Sequence, residues 1–352
     1  MDISHYLNKK NSFRELSDED FEHLVPLFAQ QLENSGFIYD SPSPEDIQKD
    51  WKSLCKKTVV SVAGTTATTT TNNEKHIVIS ATCVVGMKII RKYMPHFYNV
   101  KNYKGVSVIS LWKKENVEKA LRFNRKYHST PYVSEIIRSL SFTNGLGKIT
   151  IYRPIMAKNI VSYLNAQSVL DVCVGWGGRM LGSVSVGSNV HYTGIEPCMA
   201  TYEGLCQIRD TLSLDNIELI NKPAELALEQ MPKDRKFDMA LTSPPYYNLE
   251  IYSDEHDQSL QYGSYEQWIH KFLEPVIAGV LGRVKCSCWS IKNFKTNKKY
   301  ALLEDVIQIH EKNGWKMMDI TFSMTNSKRP GGSAMDAEKK ASEETTYLFI
   351  PM

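Results

Sequence analysis

The second half of the chain alternates short apolar runs with segments whose apolar residues recur at helical spacing. The apolar runs predict strands at 168–172, 191–195, 217–220, 237–241 and 284–291, and a last strand pair near 315–323 and 345–350. Strands that alternate with helices form a doubly wound, mostly parallel sheet, and ligands bind such sheets at the carboxyl ends of the strands. We therefore expect an α/β fold with a seven-stranded sheet.

The first half of the chain is predicted to form an additional α+β domain. Ser17 and the acidic residues after it begin a helix whose apolar residues recur at helical spacing. Residues 64–75 are mostly Thr and Asn, so we expect a mobile loop there, between strands at 58–62 and 77–83. The change of pattern predicts two domains, residues 1–148 and residues 149–352.

The composition is typical of a soluble intracellular protein. Of the 352 residues, 42% are hydrophobic and 23% are charged, as in ordinary globular domains. The net charge of +3 permits a polyanionic partner but does not require one. Seven scattered cysteines without a C-x-x-C pair indicate free thiols in a reducing compartment. No signal peptide is visible and the most apolar run, 77–90, is too short to span a bilayer, so we expect a protein of the cytoplasm or nucleus that does not contact membranes.

The most basic stretch of the chain, residues 88–128, also carries interleaved aromatic residues. This mixture suits a surface that neutralises phosphates and stacks on bases, although a solvated helix face with ordinary core aromatics gives the same pattern. A second basic segment is the loop at 326–342, between the last two strands. The predicted nucleic-acid contacts are Lys113, Lys114, Arg122, Arg125, Lys126, Lys328 and Arg329.

A glycine turn follows the first predicted strand of the second half. Gly175 and Gly177 lie where a strand passes into a helix, which lets the backbone approach a ligand and face it with helix N–H groups. A dinucleotide fingerprint would require glycine at position 180, which is Met180. Glu196 ends the next strand, where a carboxylate can accept both ribose hydroxyls. An adenosyl ligand is therefore indicated, in this or another kind of nucleotide-binding α/β domain.

The turn resembles motif I, D-x-x-x-G-x-G, of S-adenosylmethionine-dependent methyltransferases, with Asp171 as its acidic residue and Glu196 in the motif II position. Upstream, Tyr152-Arg153-Pro154 resembles motif X. The run Thr242-Ser243-Pro244-Pro245-Tyr246 ends the fourth predicted strand and resembles motif IV of the DNA amino-methyltransferases. The resemblance covers roughly residues 150–300. It implies a Rossmann-like methyltransferase fold, with target recognition in the N-terminal part.

The resemblance also implies S-adenosyl-L-methionine as the cofactor. It places Asn221, Pro223 and Glu225 near the adenine ring without deciding which of them contacts it. The predicted site has a catalytic half and a cofactor half. The catalytic residues are Ser243, Pro244, Pro245 and Tyr246. The cofactor contacts are Arg153, Asp171, Val172, Gly175, Gly177, Glu196, Pro197 and Thr242.

The Ser-Pro-Pro-Tyr run fits the chemistry of an exocyclic amino group. The nitrogen of such a group is a poor nucleophile, because its lone pair is delocalised into the base. Two acceptors, Ser243 Oγ and the Pro244 carbonyl, can bind its two hydrogens and favour attack. Tyr246 offers a face for a base that has left its stack. A plain proline turn is the alternative.

We therefore expect methyl transfer to adenine N6 or cytosine N4 in DNA. Serine at position 243, where the commonest adenine enzymes carry aspartate, leaves the base open. The alternatives are an RNA base methyltransferase, a protein-glutamine methyltransferase and a non-catalytic nucleic-acid-binding subunit. The acidic cluster at 254–257, which includes His256, is interpreted as solvated loop charge, and no metal site is predicted. The oligomeric state is left open.

Overall fold

The fold is built on one large sheet with helices on both faces. The computed structural model describes residues 3–59, 69–71, 74–79, 83–127, 130–146, 150–253, 259–324 and 345–352. The helices are α1 (Ser4–Leu7), α2 (Asp18–Asn34), α3 (Pro44–Lys56), α4 (Met87–Tyr93), α5 (Lys114–Tyr127), α6 (Val133–Thr143), α7 (Pro154–Tyr163), α8 (Gly178–Val184), α9 (Met199–Thr211), α10 (Ala224–Gln230), α11 (Tyr265–Trp268), α12 (Glu274–Leu281) and α13 (Leu302–Lys312). The strands are β1 (Thr69–Thr71), β2 (Glu74–Ile79), β3 (Lys101–Asn102), β4 (Ser168–Asp171), β5 (His191–Ile195), β6 (Ile217–Ile220), β7 (Phe237–Thr242), β8 (Glu250–Ile251), β9 (Val284–Ile291), β10 (Phe294–Lys295), β11 (Lys299–Tyr300), β12 (Trp315–Met324) and β13 (Thr345–Pro351).

The order of strands in the large sheet is β1-β2-β12-β13-β9-β7-β4-β5-β6. Strands β6, β5, β4, β7 and β9 are parallel to one another, and β13 pairs antiparallel with both β9 and β12. Along the chain, β5 and β6 extend the sheet to one side of β4, and β7 returns to its other side. This reversal of direction beside β4 is where ligands bind in doubly wound sheets. The α/β, mostly parallel architecture predicted from the sequence is confirmed.

Alternate residues of the central strands enter different cores. Val169 and Met239 belong to a core with helices α7, α8 and α9. Leu170 and Ala240, their neighbours in the chain, belong to a second core with α10, α12 and α13. Successive side chains of a strand point to opposite faces, so the two cores lie on the two faces of the sheet. Burial on both faces is why these strands read as continuous apolar runs.

The N-terminal half contributes to two cores. Helices α2, α5 and α6 enclose a third core, which includes Phe28, Leu121 and Leu140. Ser17 caps α2 by accepting the N–H of Asp20 at 3.0 Å, as the sequence predicts. By contrast, α3 and α4 pack against the sheet core through Leu54 and other residues. The sheet core therefore contains residues from both sides of the expected boundary at residue 148, and the division into two domains stays a prediction.

The sheet is wider than the predicted seven strands. Strand β2 pairs parallel with the outer edge of β12, from Ile320 opposite Lys75 to Met324 opposite Ile79, and β1 pairs with β2. Much of the expected loop at 64–75 lies outside the described residues, but Thr69–Thr71 and the start of β2 are strand. A lone Thr-rich segment gives no amphipathic signal, and β1 is a strand because it pairs with β2. The single helix predicted over 265–281 is interrupted by a π-helical turn at Ile269–Leu273.

Candidate active site

Two loops meet at the carboxyl ends of neighbouring strands. The glycine turn follows β4 and the Ser-Pro-Pro-Tyr turn follows β7, and these strands pair directly, Val169 opposite Met239. Both turns line a single cavity of about 150 Å³. Its lining includes, from the predicted site, Val172, Gly175, Glu196, Pro197, Ser243, Pro244, Pro245 and Tyr246. The structure therefore brings the two halves of the predicted site together.

One side of the glycine turn is closely packed against the protein, and the other side is open. Gly175 and Gly177 have positive φ angles of 56° and 84°. A Cβ atom added to Gly175 would meet nothing within 4 Å, whereas one added to Gly178 would lie 2.0 Å from the carbonyl oxygen of Tyr152. The chain just before α7 therefore presses on the back of the turn. The open side at Gly175 faces the cavity, where a ligand can approach the backbone.

Asp171 holds the glycine turn from behind. Its carboxylate is fully buried and accepts hydrogen bonds from Arg179 Nε and the Tyr192 hydroxyl, both at 2.7 Å, and from the N–H of Cys173 at 3.2 Å. Arg179 also donates to the carbonyl of Cys173. Asp171 is not among the cavity-lining residues. These hydrogen bonds fix the glycine turn from behind, and the predicted contact between Asp171 and a cofactor stays a prediction.

Glu196 lies in the cavity wall at the end of β5. Its Oε2 accepts the N–H of Gly175 at 2.9 Å, and its Oε1 accepts the N–H of Cys198 at 3.0 Å. Only 8% of the residue is exposed, and this burial raises the pKa of the carboxyl to about 7, against the lowering effect of the two N–H bonds. Each carboxylate oxygen can accept more than one hydrogen bond. The ionised form can therefore bind ribose hydroxyls while it keeps the glycine turn in place.

The Ser-Pro-Pro-Tyr turn is fixed by its neighbours. Tyr246 is 6% exposed and packs edge-on against Phe294, with ring centroids 5.6 Å apart. Its carbonyl accepts the N–H of Leu249 at 2.8 Å. Tyr247 has a positive φ of 45° and donates its hydroxyl hydrogen to the carbonyl of Gly263. The turn is thus a rigid feature at the end of β7.

Besides Asp171, three predicted cofactor residues lie outside the cavity lining. Gly178 lines the cavity, whereas its neighbour Gly177 does not. Thr242 is fully buried within β7. Arg153 is one residue beyond Tyr152, which does line the cavity. Arg153 Nη1 is buried and has no hydrogen-bond partner in the described part of the chain. Burial and, next, the charge of Arg91 lower the pKa of Arg153.

An aromatic wall of the cavity was not predicted from the sequence. It consists of Trp176, in the glycine turn, and Tyr252, nine positions after Ser243, and their ring centroids are 6.0 Å apart. The N-terminal half backs this wall, because Phe97 packs edge-on against Trp176 at 5.3 Å. Strand β8 just before Tyr252 pairs with β3. Trp176 was visible inside the glycine motif, but nothing in the sequence indicated Tyr252.

Of the residues near the expected adenine position, Glu225 has an available acceptor. Its Oε1 accepts the hydroxyl hydrogen of Tyr262, whereas its Oε2 is buried without a partner among the residues that the structure describes. Asn221 donates its side-chain N–H groups to the carbonyls of Glu196 and Pro197, each at 2.9 Å. Pro223 and Glu225 both line the cavity. The structure thus favours Glu225 as a polar contact for a ligand.

The predicted nucleic-acid residues on α5 differ in their surroundings. Arg122 pairs with Glu22 at 2.8 Å and Glu118 at 3.3 Å, and Arg125 pairs with Asp18 at 2.9 Å. Their charges therefore join α5 to α2 and are already partnered, which weakens their assignment to phosphates. Lys113 and Lys126 are exposed and Lys114 is half-buried. Lys328, Arg329 and the acidic cluster at 254–257 lie outside the described residues.

Comparisons with known proteins return solved structures only. No protein-family model matches the chain, and no curated protein matches its sequence. A candidate RNA methyltransferase of Pyrococcus horikoshii is 11% identical over 56% of this chain and 83% of its own, with a TM-score of 0.37. An Agrobacterium tumefaciens SAM-dependent methyltransferase is 12% identical over 55% of this chain and 59% of its own, with a TM-score of 0.36. The magnesium protoporphyrin IX methyltransferase of Synechocystis, with bound SAM, is 10% identical over 58% and 87%, with a TM-score of 0.33.

At TM-scores this low, the assignment of the fold rests on the strand order of this chain.

Within the described residues, no helix is both long enough and apolar enough to cross a bilayer.

Proposed function

We propose that this chain transfers a methyl group from S-adenosylmethionine to the exocyclic amino group of a base in DNA, adenine N6 or cytosine N4. One observation carries the proposal: the glycine turn after β4 and the Ser-Pro-Pro-Tyr turn after β7 line the same cavity. The first turn suits an adenosyl ligand, and the second suits an amino group. Their shared cavity allows the two groups to react.

The cavity residues fit S-adenosylmethionine on three observations. Space for a ligand is open beside the backbone of Gly175. The Glu196 carboxylate lies in the wall and can accept ribose hydroxyls. Glu225 Oε2, buried and without a partner in the described chain, can accept from the adenine amino group. When bound, the cofactor supplies a methyl group on a positively charged sulfur, whose departure leaves a neutral thioether.

Ser243 and Pro244 supply the acceptors for the target amino group in this proposal. Hydrogen bonds to its two hydrogens withdraw the nitrogen lone pair from the ring and direct it at the methyl carbon. Neither Pro244 nor Pro245 has an N–H, so the turn offers no competing donor there. Because positioning supplies most of the effect, no strong general base is needed, and the surplus proton leaves to water.

The base enters beside Tyr246, and its entry requires side chains to move. The cavity of about 150 Å³ is smaller than typical ligand pockets, which are about 300–1,000 Å³. Trp176 and Tyr252 form the aromatic wall of this cavity, and in this proposal they are the side chains that move when the base enters. Stacking on an aromatic ring is worth about 1–3 kcal/mol per base, which favours holding a base there once the wall has opened.

Mass spectrometry of nucleosides from cells that express the protein tests this proposal. We expect N6-methyladenine or N4-methylcytosine in DNA, at a strongly reduced level in cells that express the Ser243→Ala variant in equal amount. Methylated nucleosides in RNA alone would transfer the activity to RNA. No methylated amino base in either polymer would contradict the proposal.

A further inference from the structure

A short segment of the N-terminal half, residues 93–96, lies against the start of α9. His96, in the 3₁₀ helix that follows α4, forms a hydrogen bond with Thr201 in the first turn of α9, with Nε2 and Oγ1 2.9 Å apart. One helical turn later, a Cβ atom added to Gly204 would lie 2.6 Å from the Tyr93 carbonyl oxygen. Direct contact therefore joins this segment to the first two turns of α9.

His96 also contacts the glycine turn. The centroid of its ring is 5.2 Å from that of Trp176, and the two rings are tilted by 54°. Trp176 and Thr201 both line the cavity. His96 is half-buried behind them, and burial lowers the pKa of its imidazole. The ring is therefore neutral at pH 7, with one donor and one acceptor nitrogen, and its bond to the Thr201 hydroxyl needs no counter-charge.

The two segments that His96 joins are those between which an adenosyl ligand fits. On the cavity side, Glu196 connects them, because it lies just before α9 and accepts the N–H of Gly175 at 2.9 Å. His96 connects the same two segments from the other side, through Thr201 and Trp176. A ligand that contacts both segments needs them in one arrangement. The fraction of the protein that holds this arrangement sets the apparent affinity.

We propose that His96 is a positioning residue of the S-adenosylmethionine site, whose contacts with Thr201 and Trp176 fix α9 and the glycine turn around the cofactor. This inference rests on the cofactor half of the proposed function. The cofactor contacts predicted from the sequence all lie at residue 153 or later. The inference therefore adds the N-terminal half of the chain to the cofactor site.

A second hydrogen bond between a histidine and a threonine provides a matched control. His76 Nδ1 is 2.7 Å from Thr321 Oγ1, where β2 pairs with β12. This bond also joins the N-terminal half to the sheet, but neither residue is among the described residues that line the cavity. A general effect of losing such a bond would appear in both pairs. An effect on the cofactor site should appear only in the pair that contains His96.

The test measures the Kd of S-adenosylmethionine by calorimetry, with chemical denaturation in parallel, on the full chain. His96→Phe keeps a ring beside Trp176 and removes the hydrogen bond, and Thr201→Val removes the same bond from its other end. Each should weaken the affinity about fivefold, the size of one lost hydrogen bond. The double variant should also lose about fivefold, because the two residues share one bond. Thr201→Ser should stay within twofold, as should the control variants His76→Phe and Thr321→Val.

Three results would overturn the inference. The first is an affinity within twofold of normal in both His96→Phe and Thr201→Val. The second is a loss of about 25-fold in the double variant, because the two residues would then act separately. The third is an equal loss of affinity in the His76 and Thr321 variants, which would assign the effect to general destabilisation. Thr201→Val exchanges only a hydroxyl for a methyl group, so it decides the question even if His96→Phe does not fold.

Labelled-methyl transfer to DNA and RNA separates this inference from the proposed function. If the cofactor binds and the His96 and Thr201 variants weaken its binding, but no nucleic acid is methylated, the proposed function fails and the inference stands. If nucleic acid is methylated and these variants bind the cofactor normally, only the inference fails. If the unchanged protein binds no S-adenosylmethionine, both fail.

Discussion

The affinity for S-adenosylmethionine should depend on pH through Glu196. Burial raises the pKa of this carboxyl to about 7 in the ligand-free protein. Only the ionised form can accept both ribose hydroxyls while it holds the N–H groups of Gly175 and Cys198. Ligand binding should therefore be strong above the pKa and weaken as pH falls through it. A group that must be protonated in order to bind the ligand would give the opposite pH dependence, with stronger binding at low pH.

The expected size follows from the ionised fraction. With a pKa near 7, about 90% of the carboxyl is ionised at pH 8 and about 10% at pH 6. The apparent Kd should consequently rise about tenfold between pH 8 and pH 6, which is about 1.4 kcal/mol. Isothermal titration calorimetry at pH 6, 7 and 8 in buffers of equal ionic strength measures it directly.

The Glu196→Gln variant is the matched control, because it keeps the shape and removes the titration. It should bind more weakly at pH 8, and its Kd should change little between pH 8 and pH 6 apart from any titration of the ligand itself. The difference in the pH dependence of Kd between the two proteins gives the contribution of the Glu196 carboxyl. An equal pH dependence in both proteins would refute the assignment of Glu196 to the ribose.

Three further predictions concern the parts that support the site. Gly178→Ala should destabilise the fold by about 1–3 kcal/mol, because its Cβ would lie 2.0 Å from the Tyr152 carbonyl oxygen; chemical denaturation measures this loss. Asp171→Ala should lower cofactor affinity and cost about 3–5 kcal/mol of stability, because it leaves the buried Arg179 without its carboxylate; calorimetry and denaturation report the two effects. Burial lowers the pKa of His310 to about 4, so its contribution to stability is present above the unfolded value of 6.5 and is lost as pH falls toward 4; denaturation at pH 7 and pH 5 should show about 2 kcal/mol from this residue.

Each of these predictions has a control within the chain. Gly282→Ala should be tolerated, because the nearest contact for its Cβ is at 3.9 Å, and equal losses in both glycine variants would contradict the steric argument. Asp210, which forms an exposed ion pair with Arg209, controls for Asp171, and its alanine variant should leave cofactor affinity unchanged. His310→Asn should lose less stability between pH 7 and pH 5 than the unchanged protein. An identical loss would contradict the assignment to His310.

The central sheet could be predicted because its strands are buried on both faces. Strands β4 and β7 appear in the sequence as short apolar runs, and residues of the turns that follow them, the glycine turn and Ser243, line the cavity. Parallel neighbours place such ends at one edge of the sheet. The order of the motifs along the chain was therefore sufficient to predict that the two turns lie at one cavity.

The remaining parts depend on contacts between distant segments, which local pattern does not encode. The start of β2 fell in the loop expected at 64–75, and it is strand because it pairs with β12, about 245 positions along the chain. Asp171 matched a cofactor motif, yet its environment is set by Arg179 and Tyr192, which the motif does not specify. Arg153 and Tyr152 are adjacent in sequence, but only Tyr152 lines the cavity, because successive residues of an extended chain face opposite ways.

If the glycine turn and the Ser-Pro-Pro-Tyr turn serve one reaction in one cavity, variants of the two turns should affect cofactor binding and turnover differently. Cofactor binding and labelled-methyl transfer to oligonucleotides should be measured for Ser243→Ala, Tyr246→Ala and Glu196→Ala. We expect the first two variants to bind the cofactor within about threefold of normal but to lose about 100-fold in turnover, whereas Glu196→Ala should lose cofactor affinity. Normal turnover in both Ser243→Ala and Tyr246→Ala would contradict the account.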